Sequence, residues 1–146
     1  MENTIAEIQV SYSSNMTKME KITDSEKAYS ILLNSWSLDL IELQEEFKVL
    51  LLNRANEIIG LFSMSKGGLT GTVVDVKLLF AVAIKCNASG IIIAHNHPSG
   101  NLKASEQDKK ITKQIKEGAK IFDIQFLDHL IITKTGYLSF TNEGII

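Results

Sequence analysis

Cysteine is almost missing from this chain: Cys86 is the only one among 146 residues. One thiol cannot form an intramolecular disulfide, and the sequence opens with no basic-then-apolar leader. Both absences set the expectation of a reducing, cytoplasmic setting. Long apolar runs are missing too. The longest strongly apolar one, Leu78 to Ile84, is far too short to span a bilayer, so no membrane-spanning helix is expected. Neither sign of charge dominates. The net charge is −2, so no global field attracts a polyanion, and any nucleic-acid contact would need a local patch. There is no internal repeat and no low-complexity tract. What is present is a globular composition, 45% hydrophobic and 22% charged, in a length that suits one domain with a real core.

Residues 1–22 are polar and rich in Ser, Thr and Asn, and form an expected N-terminal extension. Within it Ile8, Val10 and Tyr12 alternate with polar residues, the pattern of a short half-buried strand. Residues 23–146 form the expected domain. Thr23 and Glu26 have capping-box spacing, and Ala28, Ile31, Leu32 and Trp36 follow at helical intervals, which predicts a helix over 24–36. The runs Phe47–Asn53 and Ile58–Met64 predict a hairpin of a well-covered sheet, turning at Arg54–Asn56. Gly67, Gly68 and Gly71 mark a loop. Residues 75–88 are apolar almost all round; their alanines, their length and the following Gly90 favour a buried helix. Ile91–Ala94 predicts a central strand. Residues 105–118 form the clearest amphipathic helix, with Asp108, Ile111 and Ile115 on one side and Lys109, Lys113, Lys116 and Lys120 on the other. Ile124–Thr133 and Tyr137–Phe140 predict two closing strands around Gly136. This order predicts an α/β fold in which helices cover both faces of a mixed sheet.

The chemistry gathers in residues 95–108, HNHPSGNLKASEQD. His95 and His97 are two apart, and in an extended segment such residues point to the same side. Pro98 favours that geometry, because the residue before a proline is pushed toward extended backbone. Pro98 to Asn101 then turns the chain, and Asp108 returns a carboxylate on the inward face of the following helix. Two imidazoles, one carboxylate and an open position suit a catalytic zinc ion. The same residues also fit a plainer arrangement. Ser105 and Asp108 have the spacing of a helix cap, and the histidines can be those of a solvated turn.

The pattern His-x-His, seven residues, Ser-x-x-Asp resembles the JAMM signature of the JAB/MPN metallopeptidases. The wording His95-Asn96-His97-Pro98-Ser99-Gly100 resembles the RadC-like branch, bacterial proteins long labelled as DNA repair proteins. The stretches Glu45–Asn53, Gly71–Asp75 and Asp128–Ile132 follow in the order of that family, and the resemblance covers about residues 40–146. It implies a three-layer α-β-α fold like that of cytidine deaminases. It implies Zn²⁺ held by His95, His97 and Asp108. It also implies that Glu45 is the general base, which takes a proton from water activated by the metal and returns it to the leaving amine. Glu46 is the alternative if the register is off by one; it should face the other way. Ser105 matches the serine that steadies the oxyanion. The implied activity is that of a zinc metallopeptidase or isopeptidase acting on a peptide or protein. The alternative is a non-enzymatic accessory protein in DNA repair or mobile-element DNA processing.

Two departures from the family pattern stand out. Ala104 replaces a proline common in relatives, which changes loop stiffness and not chemistry. About forty residues precede Glu45, too few for the helix-hairpin-helix type region of full-length relatives, so the repair role attached to the family's label is not expected to carry over. His129 reads as a packed strand histidine, with support of a ligand as the alternative. Cys86 reads as a small buried side chain and Trp36 as the anchor of the first helix. The lysine stripe reads as a solvated face, because no aromatics interleave with it for base stacking.

Overall fold

The computed structural model describes residues 4–67 and 73–146, so Gly68, Gly71 and Thr72 lie outside the described residues. Helix α1 (Ser25–Ser35) is capped by Asp24, whose side chain accepts the Lys27 N–H at 2.8 Å. The cap expected at Thr23 thus falls one residue later, where a carboxylate also meets the positive end of the helix dipole. Strands β1 (Glu46–Leu52) and β2 (Ile58–Lys66) form the expected antiparallel hairpin. Asn56 turns it with φ 61°, and the Asn53 side-chain oxygen accepts the N–H groups of Ala55 and Glu57. β2 is an edge strand and stays partly exposed, so only β1 is well covered.

Helix α2 (Val76–Lys85) buries Leu79, Phe80 and Ala83 but leaves Leu78 and Ile84 exposed, so it is one-sided and not enclosed as expected. Asn87, with φ 55°, ends it; Gly90 is instead the first residue of β3 (Gly90–Asn96). Helix α3 (Glu106–Ile121) leads to β4 (Gln125–Ile132) and β5 (Tyr137–Ser139). The sheet order is β2-β1-β3-β4-β5. Only β3 and β4 run parallel, and α3 makes the crossover that such a pair needs.

Alternation along the strands builds two cores. Phe47, Val49, Leu51, Ile91 and Ile93 face α2 and α3, and Leu50, Leu52, Ile92 and Ala94 face α1. This is the expected three-layer α/β arrangement. Gly118 lets α3 close on α2: a Cβ there would stand 2.7 Å from the Phe80 ring. The strand expected at Ile8–Tyr12 does not form; all three apolar residues are exposed. So short a pattern buries too little without a paired neighbour. The Tyr12 hydroxyl does reach β2, donating to the Ile59 carbonyl at 3.3 Å.

Candidate metal centre

The alternation that builds the cores also sorts the His-Asn-His triplet. His95 continues the face of Ile91 and Ile93 toward α3, stacking near Phe47, while Asn96 turns to the α1 face and meets Trp36. His97 lies just past the strand, in the turn that begins with Pro98. That turn is closed by the Gly100 N–H donating to the His97 carbonyl at 3.0 Å, and Gly100 takes φ 82°. The two Nε2 atoms come within 3.0 Å of each other.

Ser105 is the N-cap of α3: its hydroxyl accepts the Asp108 N–H at 3.0 Å, and its own N–H donates to Asp108 Oδ2 at 2.8 Å. The capped carboxylate faces the histidines at the same time. Its Oδ1 lies 3.1 Å from His95 Nε2 and its Oδ2 lies 3.3 Å from His97 Nε2. The helix cap and the approach to the histidines are therefore not exclusive. Glu45, just before β1, brings Oε1 to 3.7 Å from His95 Nε2. Glu46 points away, toward Lys48 at 3.9 Å on the α1 face.

Glu45, His95 and His97 offer ligand atoms that lie within 4.8 Å of one another, a cluster that can hold one metal ion. The Asp108 contacts are shorter still, so two carboxylates compete for the coordinating role. The donor set fits a small cation. Ligands about 2.0–2.2 Å from a tetrahedral ion stand roughly 3.3–3.6 Å from each other. The contacts of 3.0, 3.1 and 3.3 Å among His95, His97 and Asp108 come close to those edges. All four residues line one cleft of about 1170 Å³, whose walls include Phe47, Val74 and Ile111.

The electrostatics follow from this crowding. Burial raises the pKa of Asp108, but hydrogen bonds from His95 and His97 outweigh it and hold the carboxyl far below its ordinary range. Burial lowers the pKa of His97, yet its bonds to Asp108 and to the Asn101 carbonyl, with the charges of Asp108 and Glu45, leave it raised. Asp108 and Glu45 thus favour a proton on His97 at the point where a cation would sit. His129 is fully enclosed, and burial drives its pKa well down, keeping it uncharged.

Four supporting residues escaped the sequence patterns or were seen only in part. Asn96 is fully buried and makes four bonds. Its Nδ2 donates to the carbonyls of Ile41 and Gln44 at 2.7 and 2.9 Å. Its Oδ1 accepts Glu46 N–H at 2.8 Å and Trp36 Nε1–H at 3.1 Å. Asn96 therefore grips the chain on both sides of Glu45. A buried-type strand that ends on an amide beside His95 was its one visible signal. Thr112 sits one helical turn after Asp108, and His129 lies between it and His95. Trp36, expected only to anchor α1, also lies under the Lys48 ammonium at 4.5 Å.

A mixed α/β sheet with two histidines and two carboxylates at the end of its central strand defines the class of protein. The particular family follows from comparison: the chain belongs to the RadC-like JAB domain family, whose model matches residues 22–145. A UPF0758 protein of Flavobacterium johnsoniae is 48% identical over 132 residues, which are 90% of this chain and 56% of that protein. A UPF0758 protein of Porphyromonas gingivalis is 42% identical over 135 residues, 92% of this chain and 58% of that protein. One of Clostridium beijerinckii is 40% identical over 127 residues, 86% of this chain and 54% of that protein. The chain spans a little over half the length of these curated relatives. Among the described residues, no helix is long and apolar enough to cross a membrane.

Proposed function

We propose that this domain is a zinc-dependent hydrolase of the JAB/MPN type, cutting a peptide or isopeptide bond in a peptide or protein, in the cytoplasm. The observation that carries the proposal is the pair of Nε2 atoms 3.0 Å apart with the Asp108 carboxylate against both. His95, His97 and Asp108 would hold the ion, because Asp108 lies nearer the histidines than Glu45 does and is fixed by the helix cap. A bound zinc ion would lower the pKa of water to about 7 and polarise a carbonyl. Glu45, 3.7 Å from His95 Nε2, stands beside the ligand set, where its carboxylate accepts a proton from water and hands it to the leaving amine. The Ser105 hydroxyl accepts from Asp108 N–H and keeps its own proton to donate to a developing oxyanion.

Protein purified without chelator should carry about one zinc per chain by mass spectrometry, and His97→Ala should lose it. In a screen of peptide and isopeptide substrates, Glu45→Gln should keep the metal and lose about 10²–10⁴-fold in rate. Unchanged hydrolysis in that variant would remove Glu45 from the role.

A second reading, an accessory protein that binds nucleic acid, is favoured by a different observation. At the other end of the sheet, Arg54, Lys116 and Lys120 line a cavity of about 620 Å³. Among the described residues none of the three forms an ion pair. Salt-dependent DNA binding that weakens when all three are changed to Gln would favour this reading, and no binding at low salt would sink it.

A further inference from the structure

The hydrogen bonds behind His95 run in one direction. Thr112 Oγ1 donates to the Asp108 carbonyl at 2.7 Å, one turn earlier in α3. A hydroxyl has one proton, so toward His129 Nδ1 the same oxygen can only accept. His129 therefore carries its proton on Nδ1 and offers Nε2 as an acceptor. His95 Nδ1 lies 2.8 Å from that atom and must donate to it. In the neutral ring the lone pair of His95 is then on Nε2, the atom that faces Asp108 in the cleft and that a metal ion would claim in place of a proton. Burial protects this order from water: Thr112 and His129 are 0% exposed and His95 is 3% exposed.

We propose that Thr112 and His129 are positioning residues that impose on His95 the ring tautomer a metal ion requires. This rests on reading the centre as a metal site. His97 needs no such device, because its Nδ1 meets the Asn101 carbonyl at 2.6 Å, and a carbonyl can only accept. An imidazole can do either, and so can a hydroxyl. The chain behind His95 gains its direction only where it ends, on the main-chain carbonyl of Asp108. The tautomer of one ligand is thus tied to the helical turn that carries another.

The test is a zinc titration of the full chain against a chromophoric chelator, for wild type, Thr112→Val, Thr112→Ser and His97→Ala. Long-range ¹H–¹⁵N spectra of the histidine rings in the metal-free chain accompany it. Thr112→Val keeps the shape and removes the hydroxyl; zinc should bind about 10–100-fold more weakly, and the His95 proton should move toward Nε2. Thr112→Ser keeps the hydroxyl and loses a methyl group; it should bind zinc like wild type. A role in packing alone predicts the reverse order. Equal affinity in wild type and Thr112→Val, with His97→Ala weakened, would overturn the proposal and leave the metal centre intact. No zinc binding by wild type would overturn the metal centre itself. Should Thr112→Val not fold, the wild-type ring spectra decide: a His95 ring without a proton on Nδ1 overturns the proposal.

Discussion

His95 and His97 present the same atom, Nε2, to the same point, but they are held by different means. His95 belongs to the central strand and is secured through His129 and Thr112, deep in the core. His97 belongs to a turn and is secured by the carbonyl of Asn101 and the closure at Gly100. The first support is long-range and dry. The second is local and wetter. The difference teaches that one ligand set draws on two kinds of stability. Damage on the core side should unsettle the whole domain, whereas damage on the turn side should be felt mainly at the centre.

The largest effect expected from this comparison is that of Asn96→Ala. Asn96 shares the core side and makes four bonds, so its loss strands donors and acceptors in β1, in Trp36 at the end of α1 and in the segment before β1. Stability by urea unfolding should drop by about 3 kcal/mol or more. A drop under about 1 kcal/mol would mean that water replaces the amide and that the core side is not as dry as described.

Gly100→Ala should cost less, about 1–2 kcal/mol, because φ 82° suits glycine and strains alanine. Zinc affinity should fall along with it, through His97. If affinity is unchanged while stability drops, the turn does not position that ligand.

The smallest effect expected is one of pH, on the order of 1 kcal/mol, read as the melting temperature of the metal-free chain. The raised pKa of His97 adds stability that is fully present below 6.5 and is lost as pH rises through the raised value. The depressed pKa of Asp108 adds stability that is present above 3.8 and is lost only as pH falls far below that. His129 acts in the opposite sense to His97: its depressed pKa makes the unfolded chain the better proton binder below 6.5, so acid erodes stability. The metal-free chain should therefore lose stability toward alkaline pH. Asp108→Asn should flatten that loss, and saturating zinc should abolish it, because the ion takes the place of the His97 proton. An alkaline loss that persists unchanged in Asp108→Asn would separate His97 from Asp108.

Much of this was legible in the residue order. Among the described residues, the residue order placed the eight elements between Ser25 and Ser139 in the right sequence: composition and length decided α2, and apolar spacing marked the others, because helix and strand periods are set by neighbours within a few residues. The same-side geometry of His95 and His97 and the cap at Ser105 are local in the same way. The errors were local competitions too. Asp24 outranked Thr23 as a cap, and Asn87 ended α2 before Gly90 was reached. The strand at Ile8–Tyr12 failed because alternation describes a face without supplying a partner.

Other features depended on the packed fold. Only sheet register sets Phe47 opposite His95 and so brings Glu45, and not Glu46, to the cleft. Only the parallel pairing of β3 with β4 sets His129 beside His95, and only the seat of α3 on that sheet sets Thr112 behind them. The local order of residues determined which side chains alternate, cap and turn. Which of them meet across the sheet was decided by burial, since register is chosen by the whole apolar face and not by any one segment of it.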